Sequence, residues 1–235
     1  MLSWLPEDVS TFGPKIDQLF YLIYYITSAT FILVTTLLLV FLVLYRHRDG
    51  RRATYTHGNS TLEIIWTIVP ALILVMLAFM SKAQWDAIKK NAPPGDVEVS
   101  VTAKQFNWEV RYPGPDGKLG TDDDYQEDND LHVPVNKVVH VLLHSKDVIH
   151  SFFVPVLRLK QDALPGREIV VWFEATKPGQ YEIPCAELCG FGHSGMKGTL
   201  IVHDKAGYEQ WLKERWPDKP AATAQGPVTT AAQRG

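Results

Sequence analysis

The stretch at residues 19–45 reads LFYLIYYITSATFILVTTLLLVFLVLY and contains no charged residue. A helix needs about 20 apolar residues to cross the hydrocarbon core of a bilayer, so this run is long enough to span a membrane. A cleaved signal peptide does not fit, because the run is too long and follows Glu7 and Asp8 rather than positive charge. The sequence therefore predicts a transmembrane helix over about residues 19–45, after an external segment at residues 1–18.

A second charge-free run, at residues 64–80, reads IIWTIVPALILVMLAFM. It reaches spanning length with its flanking residues and predicts a second transmembrane helix over about residues 62–82. Pro70 lies inside this run and is expected to kink the helix. The alternative is two buried helices of a soluble protein, which the length of both runs disfavours. Together the runs predict a transmembrane hairpin over residues 19–82.

The short loop between the runs, residues 46–61, carries the positive charge of this region. Its arginines are Arg46, Arg48, Arg51 and Arg52, whereas the segment before the first run has Lys15 alone. Positively charged loops stay on the cytoplasmic side, so both termini are predicted to lie outside, in the periplasm or an equivalent space. We expect an integral protein of an inner, cytoplasmic-type membrane. The net charge of −3 argues against nucleic acid as a partner.

The exported part, residues 95–216, is predicted to be an all-β domain with a C-terminal helix. Five segments are rich in Val, Ile, Thr and aromatic residues, and Gly, Pro, Asn and Asp separate them. They read VEVSVTAK, FNWEVRY, KVVHVLLHS, EIVVWFEAT and GTLIVHD. This spacing is typical of a sandwich or a small barrel. AGYEQWLKERW predicts the helix, with Asp204 as its N-cap, and residues 217–235 are expected to be disordered.

Both cysteines lie in the segment YEIPCAELCGFGHSGM, at residues 181–196. Cys189 follows Cys185 by four residues, His193 follows Cys189 by four, and Met196 follows His193 by three. Two such cysteines in an oxidising compartment could form a disulfide. However, thiolates with an imidazole and a thioether are also the ligand set that copper favours. A distant histidine could complete that set.

This segment resembles subunit II of the haem–copper cytochrome c oxidases, whose copper A motif is Cys-x-Glu-x-Cys, three residues, His, two residues and Met. The segment DVIHSFFVPVLRLKQDALPGR resembles the part of the family that carries the upstream histidine, and the resemblance ends at about Trp211. It implies a cupredoxin-like Greek-key barrel that holds a binuclear copper A centre of two copper ions. The implied ligands are His150, Cys185, Glu187, Cys189, His193 and Met196.

The resemblance also implies the ligand role of each of these residues. Cys185 and Cys189 would bridge both ions, Met196 would be a weak axial ligand, and Glu187 would bind through its backbone carbonyl. The carboxylate of Glu187 would then help to bind magnesium or manganese at the boundary with the haem-bearing subunit I, since a hard oxygen ligand suits that ion. A solvated loop acid is the alternative for this carboxylate.

An aromatic cluster of the family has the form Gln-Trp-x-Trp, and its first Trp receives electrons from cytochrome c. Here the segment is Gln105, Phe106, Asn107 and Trp108, so phenylalanine replaces the first Trp. Phe106 could still contact the donor, while Trp108 could be only a buried strand aromatic. Which of the two receives electrons stays open.

Two acidic features are open to more than one interpretation. The segment at residues 116–130, DGKLGTDDDYQEDND, is ranked as a solvated hairpin loop first, a docking surface for a basic cytochrome c second and a calcium site third. Glu63 matches a family glutamate at the inner mouth of a proton channel. Alternatively, Ser60 and Glu63 are spaced as a capping box at the start of the second helix.

The resemblance implies the electron-accepting subunit of a respiratory terminal oxidase. It would take electrons from cytochrome c and pass them to haem in subunit I, where oxygen is reduced to water and protons are pumped. Subunit I, further oxidase subunits and cytochrome c are the implied partners. No catalytic residue is expected in this chain, and the absence of CxxCH predicts no covalent haem. The alternatives are a copper A subunit of a nitric oxide reductase or a membrane-anchored copper carrier.

Overall fold

The computed structural model describes residues 5–52 and 54–217. The chain forms two compact units, the first of residues 15–90 and the second of residues 91–217 together with the segment before residue 15. Beyond Pro217, the tail that was predicted to be disordered lies outside the described residues.

Two long helices make up the first unit, as predicted. Helix α1 covers Gly13–Leu44, and helix α2 covers Ser60–Trp85 and continues as a π-helical turn over Asp86–Lys90. Both are long and apolar enough to cross a membrane. Helix α1 begins earlier than its apolar run because the Ser10 hydroxyl accepts a hydrogen bond from the Gly13 N–H, at 2.9 Å, and so fixes the first turn.

The start of α2 differs from the predicted capping box. Asn59 is the N-cap, and its side-chain oxygen accepts a hydrogen bond from the Leu62 N–H at 3.1 Å. Ser60 is therefore the first helical residue and not the cap, and Glu63 lies one position too late to complete a box. The helix continues through Pro70.

The second unit contains ten strands and a terminal helix. They are β1 Val97–Lys104, β2 Asn107–Tyr112, β3 Tyr125–Asp128, β4 Asp130–Pro134, β5 Val138–Ser145, β6 His150–Val154, β7 Leu159–Ala163, β8 Ile169–Glu174, β9 Gly179–Pro184, β10 Lys197–His203 and α3 Lys205–Arg215. The five predicted segments correspond to β1, β2, β5, β8 and β10. Asp204 caps α3 as predicted, since its side chain accepts a hydrogen bond from the Gly207 N–H.

The strands form three sheets that match the cupredoxin-like class but do not close into the predicted barrel. The first sheet has the order β3-β2-β1-β5-β8, the second β4-β10-β9 and the third β6-β7. The chain passes from the first sheet to the second at Asn129, whose φ is 70°, and β4 then pairs with β10. Isolated bridges such as Phe152 to Cys185, and side-chain hydrogen bonds, join one sheet to another.

The core lies between the sheets and is built from alternate residues of the two central strands. Val99, Val101 and Ala103 of β1 are fully buried, and the parallel register places them beside residues of β5 that point the same way. Each such Val or Leu side chain contributes about 1.5–3 kcal/mol of transfer free energy when buried. This packed core holds the loops at the edge of the sheets in fixed positions.

The segment before α1 belongs to the β domain. Val9 is fully buried, donates a backbone hydrogen bond to Val156 O at 2.9 Å and accepts one from the Thr176 N–H at 2.8 Å. Glu7 forms an ion pair with Lys177 at 2.7 Å. A segment that packs on a domain lies on the same side of the membrane, so the N-terminal segment and the β domain share one side, as the charge pattern predicted.

Candidate metal centre

The loop between β9 and β10 carries five of the six predicted metal ligands. Its two ends are held together because the Cys185 N–H donates to Met196 O at 3.0 Å. The Ala186 N–H donates to Ser151 O at 3.0 Å, which attaches the loop to β6. Because His150 is the first residue of β6, this attachment brings the distant histidine to the loop.

The two cysteines face one another at the centre of the site. Their Sγ atoms lie 3.9 Å apart, and both thiols are free. A disulfide has a sulfur–sulfur distance of about 2.05 Å, so the disulfide alternative does not describe this structure. Two thiolates on one metal ion, each about 2.3 Å away, can lie up to about 4.6 Å apart. The observed separation therefore fits thiolates that share metal ions.

The remaining donors surround this pair. His150 Nδ1 lies 3.9 Å from Cys185 Sγ and 3.2 Å from Met196 Sδ. Cys189 Sγ lies 3.6 Å from His193 Nδ1 and 3.8 Å from Met196 Sδ. The backbone oxygen of Glu187 lies 3.2 Å from Cys185 Sγ. The structure thus brings together all six predicted ligands.

Most of the donor side chains are inaccessible to water. Both cysteines, His150 and Met196 are buried, while His193 is only partly buried and Glu187 is exposed. A soft, buried donor set of this kind has little use as a hydrogen-bonding network and suits a metal of the copper class. The chemistry and the spacing of the residues therefore fit a soft metal such as copper.

Burial favours the protonated form of one of the two thiols. Burial, and then the neighbouring Cys185, raise the pKa of the Cys189 thiol to about 11. Without metal the thiol is therefore protonated at neutral pH. A metal ion that binds here must displace a proton, so binding is favoured as the pH rises.

A carboxylate that the sequence analysis did not single out holds His150 in place. Asp147 Oδ1 lies 2.8 Å from His150 Nε2, and its two oxygens also accept hydrogen bonds from the Val148 and Gln105 N–H groups. Burial alone would raise the pKa of Asp147, but these bonds, led by that from His150, hold the pKa below its ordinary value. With Nε2–H donated to Asp147, the Nδ1 lone pair faces the sulfur atoms.

The two aromatic candidates for electron transfer occupy different places. Phe106 is 39% exposed, and its ring lies against Gly190 and Gly192 of the metal-ligand loop. Trp108 is fully buried, donates its indole N–H to Ile183 O at 3.2 Å, and has its ring centroid 6.2 Å from that of His150. A partner at the surface can touch Phe106 but not Trp108.

Two carboxylates of the acidic segment at residues 116–130 accept hydrogen bonds within its own turns. Asp124 Oδ2 accepts a hydrogen bond from the Gly120 N–H at 2.7 Å, and Asp123 Oδ1 accepts one from the Thr121 hydroxyl at 2.6 Å. These bonds fit the hairpin-loop interpretation. Glu63 lies on α2, in the other unit, and its side chain is exposed.

Two family profiles together match most of the chain. The profile "Cytochrome C oxidase subunit II, transmembrane domain" matches residues 4–83, and "Cytochrome C oxidase subunit II, periplasmic domain" matches residues 97–203. The first covers both long helices and the second covers the whole set of donors.

Several curated relatives match over most of their own length. The alternative cytochrome c oxidase subunit 2 of Bradyrhizobium diazoefficiens is 30% identical over 234 residues, which cover 90% of this chain and 83% of the relative. Cytochrome c oxidase subunit 2 of Cereibacter sphaeroides is 35% identical over 223 residues, covering 80% and 72%. Among solved structures, the periplasmic domain of subunit II of cytochrome oxidase from Bradyrhizobium japonicum is 30% identical, with a TM-score of 0.48, and covers 55% of this chain and 99% of that one.

Proposed function

Because the chain belongs to the cytochrome c oxidase subunit II family, we propose that it holds a binuclear copper A centre on the six donors described above. The ligands are His150, Cys185, Cys189, His193, Met196 and the backbone oxygen of Glu187. The chain is the electron-accepting subunit of a haem–copper terminal oxidase, an oxidoreductase complex. It is a two-span inner-membrane protein whose β domain lies on the outer side.

The observation that carries the proposal is the convergence of two free thiols with two imidazole nitrogens. The thiols are 3.9 Å apart, and each has its own imidazole within 3.9 Å. His150 lies beside Met196 at 3.2 Å, so in the proposed centre this pair would serve one ion, and His193 and the Glu187 carbonyl would serve the other. No other cluster in the described part of the chain contains a thiol.

The residues of this chain do three things for such a centre. When bound, it takes up and releases one electron at a time. Cys185 and Cys189 would hold both ions, so that each ion would keep the same neighbours when the charge changes. The buried walls exclude water, and Asp147 holds the His150 ring at a fixed angle. A site that moves little on a change of charge favours rapid transfer.

Phe106 is the residue at which we place contact with the electron donor, a cytochrome c. It is the partly exposed aromatic that rests on the ligand loop, and its backbone neighbour Gln105 donates a side-chain hydrogen bond to Cys189 O at 2.6 Å. This bond gives a short covalent and hydrogen-bonded route from the surface to a ligand. Trp108 is assigned to the core.

Two carboxylates extend the proposal toward subunit I. Glu187 binds copper through its backbone, and its exposed carboxylate is free to hold magnesium or manganese at the subunit boundary. Glu63 is proposed as the mouth of a proton path, because Asn59 rather than a capping box satisfies the start of α2 and leaves the acid without that structural role.

The alternatives from sequence receive no comparable support. The curated relatives described above carry the name cytochrome c oxidase, and neither a nitric oxide reductase nor a copper carrier is among them. A carrier also needs accessible ligands, whereas both thiols, His150 and Met196 are buried here. The oxidase subunit is therefore the function we adopt.

The test uses the full-length chain in detergent, loaded with copper in the absence of haem-bearing partners. Copper per chain is measured together with the electron paramagnetic resonance spectrum. We expect two ions that share one unpaired electron equally. His150→Asn removes that signal, whereas His144→Asn, at a histidine that instead contacts Thr102 at 3.0 Å, retains it. One isolated copper, or an unchanged spectrum in His150→Asn, contradicts the assignment.

A further inference from the structure

A second group of metal-binding side chains lies where the chain passes from the first sheet to the second. Glu127 is on β3, and Asp130 and His132 are on β4. One ligand atom from each lies within 4.8 Å of the other two. We propose that these three residues form a second metal site, for a divalent cation such as zinc, which links the two sheets.

His132 is the most deeply buried of the three. Its Nδ1 lies 2.8 Å from His203 Nε2, and its Nε2 lies 3.5 Å from Glu127 Oε2. When Nδ1–H is donated to His203, the Nε2 lone pair faces the carboxylates. A neutral imidazole held through its other nitrogen is the form that binds metal ions.

Glu127 supplies a second observation at the same place, although its side chain as a whole is 22% exposed. Its Oε2 is buried and accepts no hydrogen bond within the described residues. Its other oxygen, Oε1, lies 3.8 Å from an Arg215 nitrogen, and the guanidinium is held over the Tyr125 and Trp211 rings. Arg215 therefore compensates one oxygen and leaves the other facing His132. A buried carboxylate oxygen without a partner is unfavourable, and a cation between it and His132 removes that cost.

The donor set selects the class of ion. Two carboxylates and an imidazole are ligands that zinc accepts, at about 2.0–2.2 Å. Around one ion, donors at these distances lie at most about 4.4 Å apart. The 3.5 Å pair of His132 and Glu127 already fits, and all three ligand atoms lie within 4.8 Å of one another, so at most a small adjustment brings them to this range. Calcium and magnesium prefer all-oxygen sites, so they fit less well.

The site also has a structural consequence. Glu127 pairs through β3 with β2 of the first sheet, whereas His132 pairs through β4 with β10 of the second. The chain between them is only a few residues long and includes Asn129 in a left-handed conformation. An ion held by both strands therefore fixes this crossing. The site shares no residue with the copper ligands, so it is independent of the function proposed above.

The experiment measures zinc binding to the full-length, copper-loaded chain in detergent. Equilibrium dialysis against zinc chloride and metal analysis give the number and affinity of zinc ions for the wild-type chain, Glu127→Gln and the control Glu182→Gln. Glu182 is an exposed carboxylate on β9. The melting temperature of each chain is recorded with and without zinc.

We expect one zinc ion that Glu182→Gln retains with unchanged affinity and that Glu127→Gln binds at least about tenfold more weakly, which is about 1.4 kcal/mol. Zinc should raise the melting temperature of the wild type and of Glu182→Gln only. Equal zinc affinity in Glu127→Gln and wild type, or no zinc bound by the wild type, overturns the proposal. If Glu127→Gln fails to fold, the same zinc-affinity and melting measurements are made on His132→Gln, with the same expected and contrary results.

Discussion

Asp147 Oδ1 lies 2.8 Å from His150 Nε2, on the side of the imidazole that faces away from the two cysteine sulfurs. The same carboxylate holds the backbone of Gln105 and Val148. One side chain thus sets the tautomer of a proposed copper ligand and also positions the chain that carries Phe106. Its negative charge lies outside the ring of donors.

Asp147→Asn is expected to raise the reduction potential of the copper site. Removing a negative charge beside a ligand disfavours the more positively charged oxidised state, by an amount on the order of tens of millivolts. Spectroelectrochemical titration of the full-length chain measures the potential, and Glu182→Gln serves as a control for the loss of a remote charge. A potential that is unchanged or lower in Asp147→Asn contradicts this role.

Phe106→Ala is expected to weaken the contact with the electron donor. Truncating an aromatic anchor at a binding surface costs about 2 kcal/mol or more, which raises the apparent KM for cytochrome c by more than about tenfold. Trp108→Phe should instead lower the melting temperature and leave that KM unchanged, because Trp108 is buried. Steady-state oxidation of cytochrome c by the assembled oxidase gives both constants. The reverse pattern would assign donor contact to Trp108.

Gly192→Ala is expected to destabilise the ligand loop. A Cβ at this position would lie 2.5 Å from Phe106 Cδ2, so the ring or the loop must move. Overpacking of this kind costs about 1–3 kcal/mol. Gly195→Ala is the matched control, since no atom lies within 4 Å of its added Cβ. Thermal melting of the copper-loaded chain compares the two, and similar melting temperatures would show that Phe106 does not rest on Gly192 in solution.

Glu109 is expected to make the β domain sensitive to acid. Its buried carboxylate accepts hydrogen bonds from Lys146 at 2.8 Å and Lys104 at 3.2 Å. Burial alone would raise the pKa of Glu109, but these bonds hold the pKa below its ordinary value of 4.5. The stabilisation is therefore complete above that value and is lost as the pH falls through the folded-state pKa.

Glu109→Gln tests this linkage. At pH 7 we expect the variant to be less stable by about 1–2 kcal/mol, because charge-assisted hydrogen bonds are lost. The difference in melting temperature between wild type and Glu109→Gln should shrink below about pH 4.5. Melting curves of both chains across this range measure it. A difference that stays constant or grows on acidification would show that the charge on Glu109 is not stabilising.

Local composition was enough to predict some strands and not others. The predicted β1 and β5 are rich in valine and lie at the centre of a sheet, so their residues alone favour an extended, buried strand. Strands β3, YQED, and β7, LKQDA, are short and polar, and only their neighbours make them strands. The crossing from the first sheet to the second could not be predicted for a similar reason, because the pairing of β4 with β10 follows a turn at Asn129.

The six candidate ligands could be named from sequence because five of them lie in one segment with a family motif, and His150 lies in a second segment that resembles the family. Asp147 was missed as a positioning residue although it begins the same quoted segment. Its role depends on how Gln105 and Val148 meet around the carboxylate, 42 residues apart in the first case. The approach of these two N–H groups to Asp147 depends on strand register, which local composition does not predict.

The packing of the segment before α1 against the β domain has a consequence for how the protein is made. Glu7 and Lys177 form an ion pair across 170 positions of sequence, and Val9 fills a buried slot between residues made much later. The β domain is therefore complete only when the segment before α1 has also been translocated. A defect in the export of this short segment would be seen as a folding defect of the β domain, on the far side of two membrane helices in the chain.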